Sequence, residues 1–490
     1  MIHRQTIFLG LLSVVFIISS CKKTLDINQD PNNPSVDQGN PRLVLPAAVM
    51  ATAGRVGGDL AILGGMWSEN FTQSALANQY KDIDAYDLKS TSLNTPYTGL
   101  YTGGLKNYQF VINKAGEVKD WNFYLMATVM KAYTATLLVD LYDKIPYTEA
   151  LQGAANLNPH FDNGDAIYSS LLDEMDTAMK KDFVASTNTA PGASDLVFGG
   201  DMEKWKRFAN TLKLKMYLRM INAKPNDAQA GVQKLYTSGA QFLSADAGVF
   251  GFKDEPGQDN PLYEQNIRQL NTPNNIRAST TFVSWLKANN DPRIVSYFGS
   301  ANPNSIHQGD YLGNDPTYGS AAVFVESPAD PVIFMSKAES YFIQAEARER
   351  YFGGDQAKTL YNQGVLAAFA SVAQNGNSFI AVGGAYEYPS GGSLAQKLEA
   401  IIVQKWASLP YGVHFIEGFF EKQRTGYPVT SPVYSTNAAY VPGQFVVSKY
   451  SVLATGKLPR RLVFPDAEVS RNTNTPPLVP ITEGVWWAKP

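Results

Sequence analysis

The chain has 490 residues, of which 44% are hydrophobic and 17% are charged, a composition typical of a folded protein. Its 41 basic and 44 acidic residues leave a net charge of −3, which argues against a basic nucleic-acid-binding domain. Cys21 is the single cysteine, so the sequence excludes an internal disulfide and a multi-thiolate metal site. The 26 Tyr, 25 Phe and 7 Trp can fill a core, and such a surplus also suits binding of sugars or peptides.

Residues 1–20 have the pattern of a lipoprotein signal peptide. Arg4 precedes the apolar run 7–18, and two serines stand directly before Cys21. The run is too short to span a membrane, which takes roughly 20 residues. The pattern predicts cleavage before Cys21 and covalent lipid on that cysteine, with the mature protein facing an extracytoplasmic space. An ordinary buried cysteine is the alternative interpretation.

Residues 21–41 are predicted to form a flexible tether. The stretch 30–34 reads Asp-Pro-Asn-Asn-Pro, and proline and asparagine there favour extended and turn conformations. The remainder, 42–490, is predicted to form one domain. We expect no other apolar run to approach membrane-spanning length, so this domain should be a globule held to the membrane by its lipid.

Three segments carry strong helical signals in the first half of the chain. Residues 122–142 are apolar on nearly every side, which predicts a buried helix. Residues 165–181 have apolar residues at helical spacing, and Asp201 is predicted to cap a helix that runs to about residue 222. The basic residues of this third helix are expected to form a solvated face; they are Lys204, Lys206, Arg207, Lys213, Lys215 and Arg219.

Residues 336–370 predict two helices packed as an antiparallel hairpin. Ser336 and Glu339 match a capping box, and the glycines at 353 and 354 match a helix end. Asp355 is placed to cap the second helix. The hairpin is similar to a tetratricopeptide unit, although no strict period repeats along the chain. Further helices are predicted at 279–289 and 393–407.

Four long polar segments separate the helices: 73–98, 253–277, 297–331 and 427–459. They are rich in Pro, Gly, Asn and Tyr. Loops of this length are usually functional or disordered, and their tyrosines favour order.

No recognised catalytic or metal-binding pattern is present. His160, His307 and His414 stand in unrelated contexts, without the paired spacing of a zinc site. There is no Gly-x-Ser-x-Gly elbow, and the glycine-rich stretch 54–58 fits neither a Walker loop nor a dinucleotide fingerprint. We predict no catalytic residue, no metal site and no cofactor apart from the lipid on Cys21. A glycosidase carboxylate pair stays open, because 44 acidic residues are present.

Short strings that follow one another in order carry a family resemblance. They begin with Asp-x-Asn-x-Asp-Pro-Asn-Asn-Pro after the lipid cysteine and end with Val-Trp-Trp near the C-terminus, and they occupy residues 26–34, 67–74, 101–107, 138–151, 201–219, 290–293, 339–347, 404–406, 424–428, 459–465 and 485–487. Together they resemble the SusD/RagB family, in particular its second, SusD-like branch. Gln423 and Ala488 depart from the family strings.

The resemblance implies a mainly α fold with little β structure, in which four tetratricopeptide-like hairpins form a scaffold and long loops build the ligand face. It implies a nutrient-binding lipoprotein of the outer membrane, exposed at the cell surface, that captures a glycan such as starch, or a peptide. The ligand would pass to a SusC-like TonB-dependent barrel, over which the lipoprotein closes as a lid. It implies no catalysis. A lipid-anchored glycoside hydrolase and a structural or assembly lipoprotein stay open as alternatives.

The predicted ligand-binding residues are Trp67, Asn70, Tyr80, Tyr86 and Tyr311. The resemblance implies aromatic ligand contacts near the first position, and Tyr80 and Tyr86 lie among polar residues. The rings would stack on the ligand, and the Asn70 amide would hydrogen-bond to it. Trp67 also fits the core, because the residues beside it are apolar.

Overall fold

The computed structural model describes residues 39–92 and 94–489, without the side chain of Ala154. The predicted signal peptide, Cys21 and most of the predicted tether lie outside these ranges. Within them the chain forms long helices, single helical turns and short strands.

The helices, labelled in chain order, are α1 (Pro41–Gly57), α2 (Asp59–Trp67), α3 (Lys81–Asp84), α4 (Asn94–Gly99), α5 (Lys106–Val118), α6 (Trp121–Tyr142), α7 (Gly164–Met179), α8 (Met202–Arg219), α9 (Pro225–Thr237), α10 (Pro261–Tyr263), α11 (Thr280–Ala288), α12 (Arg293–Phe298), α13 (Lys337–Tyr351), α14 (Ala357–Ala370), α15 (Asn377–Ile380), α16 (Leu394–Ser408), α17 (Ile416–Thr425) and α18 (Asp466–Val469). Two π-helical stretches, Leu100–Leu105 and Glu264–Arg268, follow α4 and α10.

The strands are β1 (Phe71–Gln73), β2 (Lys144–Pro146), β3 (Phe161–Asn163), β4 (Ala247–Val249), β5 (Ile276–Ala278) and β6 (Val332–Met335). They pair in antiparallel twos, β1 with β5, β2 with β3 and β4 with β6. Strand β1 lies at the start of loop 73–98 and β5 lies at the end of loop 253–277. The pair β1–β5 therefore joins these two loops. The predicted mainly α fold with little β structure is confirmed.

Helix α6 runs through the core and confirms the buried helix predicted at 122–142. Every residue from Leu125 to Tyr142 is buried, and the helix packs against α5, α7 and α8. Its two charged side chains find polar partners inside the protein. The Lys131 ammonium donates to Glu174 at 3.2 Å, and Asp140 accepts from the Tyr168 hydroxyl at 2.5 Å.

Helices α1 and α2 form a second apolar run, Pro41–Trp67, that is long and apolar enough to cross a membrane. The expectation that no other run approaches this length is therefore wrong. Half of its most apolar window is buried inside the protein, and α1 packs against α5, α6 and β6. A core helix meets the same test of length and composition, and we interpret the run as part of the core.

Helices α13 and α14 form the predicted hairpin, but their ends are capped differently than expected. Ser336 accepts from the Glu339 backbone N–H at 3.0 Å, whereas the Glu339 carboxylate contacts buried cations instead of the Ser336 amide. Asp355 pairs with Arg348, and the N-cap of α14 is Gln356, with φ of 61°. A complete capping box stands instead at the start of α16.

Helix α8 starts after its Asp201 cap as predicted, but part of its basic face is not solvated. Lys213, Lys215 and Arg219 are only 6%, 6% and 1% exposed. Lys213 pairs with Asp176 of α7. The expectation of a solvated basic face is wrong for these three residues, because carboxylates on neighbouring helices reach them inside the core.

Buried ion pairs join α8, α13, α16 and α17. The Lys215 Nζ lies 3.0 Å from Glu339 and 2.6 Å from Glu417. The Lys405 Nζ lies 3.3 Å and 2.9 Å from the same two carboxylates. Arg219 donates two hydrogen bonds to Glu417, at 2.8 Å and 2.9 Å. Burial alone would raise the pKa of Glu417, but these three cations hold it well below its ordinary value.

Arg424 extends this ion-pair network along α17. Its guanidinium donates to both carboxylate oxygens of Glu346 at 2.7 Å and to Glu421 at 2.5 Å. Burial opposes ionisation of Glu346, but Arg424 and Arg350 lower its pKa to about 2. Since each helix contributes charges that the others neutralise, the network defines how the four helices pack together.

Replacing Lys405 by methionine should destabilise the protein by about 3–5 kcal/mol, because the buried carboxylates around it lose a shared cation. The matched control is Lys397→Met on the same helix, whose ammonium pairs with Glu349 at 3.2 Å nearer the surface. The control should cost about 1 kcal/mol or less. Urea unfolding of both variants measures the difference, and equal losses would contradict the role given to the network.

Candidate functional site

Loops 297–331 and 427–459 place four aromatic rings on one face of the molecule. The ring of Tyr311 lies 5.1 Å from that of Tyr450, centroid to centroid, at 47°. The ring of His307 lies 6.0 Å from that of Tyr434, also at 47°. All four side chains are partly exposed. We name these four residues the aromatic face.

Hydrogen bonds between the two loops hold the face together. The Tyr434 hydroxyl donates to the backbone carbonyl of Gln308 at 2.7 Å. His307 Nδ1 and the Ser435 hydroxyl are 2.8 Å apart. A ring that is held in place before binding loses less conformational freedom when a ligand stacks on it.

A cleft of about 440 Å³ lies beside Tyr434, and the ammonium of Lys449 lies 5.1 Å from the Tyr434 ring centre. The Lys81 ammonium from α3 lies 5.4 Å from the ring centre of Tyr311. The face thus offers flat apolar surfaces next to hydrogen-bond donors, which suits sugars and peptides. The lining residues of the cleft are Ser431, Pro432, Val433, Tyr434, Val446, Val447, Ser448, Lys449, Ser451, Leu453, Thr455 and Gly456.

Asp84 connects the first long loop to the loop that carries Tyr311. Its buried carboxylate accepts from the Thr72 hydroxyl at 2.6 Å, the Gln73 N–H at 2.8 Å and the Gln308 amide at 2.7 Å. Burial raises the pKa of Asp84 to about 6, although these donors favour the ionised form. One carboxylate therefore anchors the base of the face.

Glu69 connects α2 to the loop that carries Tyr434 and Tyr450. Its buried carboxylate accepts from the Thr281 hydroxyl at 2.6 Å and from the Val446 N–H at 2.9 Å and 3.1 Å. Burial raises the pKa of Glu69 to about 8 against the effect of these bonds.

Trp67 and Asn70 belong to the core, so the structure does not place them on the aromatic face, and their contact with ligand stays a prediction that burial disfavours. Trp67 is 5% exposed, its Nε1 donates to the Ile83 carbonyl at 2.9 Å, and its ring meets that of Phe419 edge-on at 4.9 Å. Asn70 is 1% exposed and its side-chain oxygen accepts from the Ser68 hydroxyl at 2.7 Å. Helix α2 is buried along Leu60–Trp67, and the buried segment continues through Asn70. Both side chains therefore lie inside the protein.

Tyr80 and Tyr86 are also buried, at 6% and 3% exposure, so burial disfavours the prediction that they stack on ligand. The Tyr86 hydroxyl accepts from the Ser448 N–H at 3.4 Å. Burial raises the pKa of Tyr80 well above its ordinary value. Gln79 and Asp82, which flank Tyr80 in the sequence, are exposed, while both tyrosine rings turn inward. Tyr311 is brought to the surface, and its contact with ligand stays a prediction.

The sequence did not identify Tyr434, Tyr450 and His307 as members of an exposed aromatic group. The available signal was their position in long polar loops rich in tyrosine. That signal identifies the loops, but it does not identify the rings that face solvent.

The remaining histidines lie apart from this face. His160 is exposed, with its Nδ1 2.9 Å from Glu149, and His414 is buried 3.4 Å from Glu339. Over residues 39–92 and 94–489, no group of three or more His, Cys, Asp or Glu side chains is placed to hold a metal ion.

Comparison with known proteins identifies both a sequence family and a fold. The profile of a SusD-like family, described as starch-binding and associating with the outer membrane, matches residues 65–447. No curated protein matches the chain.

Three solved structures show the shared fold. A SusD homologue from Bacteroides uniformis has 22% identity and a TM-score of 0.70, covering 91% of this chain and 99% of that one. A SusD/RagB family protein from Bacteroides thetaiotaomicron has 21% identity and a TM-score of 0.69, covering 92% and 99%. A chitin-binding SusD homologue from Flavobacterium johnsoniae has 21% identity and a TM-score of 0.69, covering 91% and 97%.

Replacing Asp84 by alanine should loosen the loop that carries Tyr311, because the Gln308 amide and two other donors lose their acceptor. Backbone hydrogen exchange across residues 304–313 should accelerate about tenfold or more, since an unsatisfied buried group costs about 1–3 kcal/mol. Exchange mass spectrometry measures this. Asp82→Ala, at an exposed position two residues earlier, should leave exchange unchanged. Equal exchange in the two variants would show that Asp84 does not anchor the face.

Proposed function

Because the chain belongs to the SusD-like family of starch-binding proteins that associate with the outer membrane, we propose that it captures an oligosaccharide at the cell surface. It then delivers the ligand to a SusC-like TonB-dependent barrel. The observation that carries this proposal is the aromatic face, where Tyr311 and Tyr450 lie side by side and partly exposed.

The chemistry of the face supports an oligosaccharide. The C–H faces of a sugar ring stack on tyrosine, and its hydroxyl groups accept hydrogen bonds from the ammonium groups of Lys81 and Lys449. The chitin-binding SusD homologue from Flavobacterium johnsoniae supports the same class of ligand, at the level of a shared fold. A peptide is the second ligand class, and binding to glycan and peptide arrays separates the two.

Binding without chemistry is sufficient for this role. Dissociation constants from millimolar to micromolar correspond to about −4 to −8 kcal/mol, enough for capture and weak enough for release into the barrel. The two buried acids closest to the face, Glu69 and Asp84, hold loops in place. Turnover of an oligosaccharide by the purified protein would favour the alternative, a lipid-anchored glycoside hydrolase.

The lipid on Cys21 and the tether after it would keep the domain next to its partner. Acyl chains hold a protein on a bilayer, and a short tether raises the effective concentration of the domain over the barrel. The pattern of the first 20 residues and the outer-membrane description of the family support this arrangement. A structural or assembly lipoprotein would share the anchor but would not need a barrel.

The double variant Tyr311→Ala/Tyr450→Ala should weaken oligosaccharide binding about tenfold or more, since each stacked ring contributes about 0.5–1.5 kcal/mol. Glycan and peptide arrays identify the ligand, and calorimetry then measures its affinity. Tyr351→Ala, a half-buried tyrosine at the end of α13, is the matched control and should bind as the wild type does. Undiminished affinity in the double variant would remove the aromatic face from the proposal, and capture of peptides alone would reject the oligosaccharide.

Replacing Cys21 by alanine should abolish radioactive palmitate labelling and release the protein from the outer-membrane fraction, because the attachment thiol is lost. The wild type should be labelled and should retrieve a large barrel protein in pull-downs from envelopes. An unlabelled wild type would contradict the lipid anchor. Pull-downs that never contain a barrel would contradict the partner.

A further inference from the structure

A separate cleft, of about 370 Å³, lies between three parts of the chain. They are α4 with the π-helical stretch that follows it, the segment 146–159, and α18 with the residues just after it. The cleft shares no lining residue with the cleft beside Tyr434. Its volume falls within the range of about 300–1,000 Å³ found for small-molecule sites.

The surface of this cleft is mostly apolar, and part of it is open to solvent. Leu157 lines it and is 74% exposed, and Leu151 and Tyr101 line it partly exposed. The ring of Tyr101 lies 4.9 Å from that of Tyr97, centroid to centroid, which extends the apolar wall inward. Contiguous apolar surface of this kind is typical of interaction sites, ligand-binding grooves among them.

Hydrogen bonds hold the walls of the cleft in place. The Tyr101 hydroxyl donates to the backbone carbonyl of Pro146 at 2.9 Å. The side-chain amide of Asn472 donates to the backbone carbonyl of Pro159 at 2.9 Å. The cleft is therefore formed before a ligand arrives, which lowers the entropic cost of binding.

Two cations of the cleft have no carboxylate partner in the part of the chain that the structure describes. Lys106 and Arg471 line the cleft, both are exposed, and neither forms a salt bridge within residues 39–92 and 94–489. By contrast, the partly exposed Lys224 pairs with Asp165 at 2.8 Å.

The lining includes one carboxylate among the described residues, that of Glu468. It accepts a hydrogen bond from the Asn472 amide at 2.9 Å. Two positive charges and one negative charge leave the cleft with a net positive charge, which favours an anionic group on its ligand.

The Tyr97 hydroxyl is a further donor in this cleft. Tyr97 is 3% exposed and lines the cleft, and its hydroxyl has no hydrogen-bond partner among the described residues. Buried polar groups are normally hydrogen-bonded, so this hydroxyl points to an acceptor on a ligand.

We propose that this cleft binds an amphipathic carboxylate, a molecule in which one acidic group is joined to an apolar chain or ring. The apolar part covers Leu157 and Tyr101, and the carboxylate lies beside Lys106 and Arg471. Hydrogen bonds from such cations to a carboxylate are stronger than those between neutral groups, and Tyr97 adds a neutral one. The inference is independent of the aromatic face and of the proposed function.

The test compares octanoate with 1-octanol, which has the same chain and no charge. The protein is the full mature chain carrying Cys21→Ala, so that no detergent is needed that would fill the cleft. In titrations followed by NMR, octanoate should bind at least threefold more tightly than octanol, because the two cations attract the carboxylate alone.

Thr98→Trp, at an exposed position that lines the cleft, should weaken octanoate binding about tenfold or more by filling the site. The matched control is Thr95→Trp, at an exposed position on the same helix outside the lining, which should bind as the parent chain does. Tyr97→Phe keeps the ring but removes the hydroxyl, and should weaken octanoate binding severalfold.

The double variant Lys106→Gln/Arg471→Gln should bind octanoate and octanol equally, because both attracting charges are gone. Its matched control, Lys119→Gln/Lys457→Gln, removes two exposed lysines outside the lining and should keep the preference for octanoate.

The inference is overturned if octanoate does not bind, if octanol binds as tightly, or if any of the three cleft variants behaves as the parent chain does. Loss of octanoate binding in Tyr311→Ala/Tyr450→Ala would also overturn it, since octanoate would then lie on the aromatic face. Oligosaccharide capture is measured separately, so its loss removes the proposed function without touching this inference.

Discussion

Lys215 and Lys405 share the carboxylates of Glu339 and Glu417 inside the helical scaffold, where none of the four is more than 6% exposed. Moving such ions out of water is costly, and the cost is recovered only when the partners meet at hydrogen-bonding distance. The ion pairs therefore form only when α8, α13, α16 and α17 have one relative placement. The Trp406 indole N–H, on α16, donates to the backbone carbonyl of Ser68 at 2.7 Å. This bond connects the scaffold to the segment between α2 and β1.

Two groups of buried acids among the described residues differ in their partners. In the scaffold, cations surround the carboxylates, and the pKa of Glu346 falls to about 2. Under the loops, Glu69 and Asp84 meet mainly neutral donors, and burial raises their pKa values to about 8 and about 6. An acid that is held by neutral donors can join loops without a buried counter-ion. The scaffold is thus joined by charge pairs and the loops under the aromatic face by hydrogen bonds.

This division suits a binding protein, because the helical scaffold keeps one arrangement while the loops contact the ligand. Loops carry the recognition residues, and the helices behind them supply fixed positions. Loop 427–459 contributes residues 431–434 and 446–449 to the cleft beside Tyr434.

The amino-acid sequence by itself determined several of the long helices and the family. Apolar spacing and caps placed α6, α8 and the α13–α14 hairpin, and the family strings contain many of the buried charges, among them Asp140, Asp291, Arg293 and Glu339. Only the tertiary structure decided which tyrosines reach the surface. Tyr86 and Tyr311 both stand in polar loops, yet one is buried and the other partly exposed. The reason is physical: the loops are positioned by contacts between residues 224 and 377 positions apart, Asp84 with Gln308 and Glu69 with Val446, which no local pattern encodes.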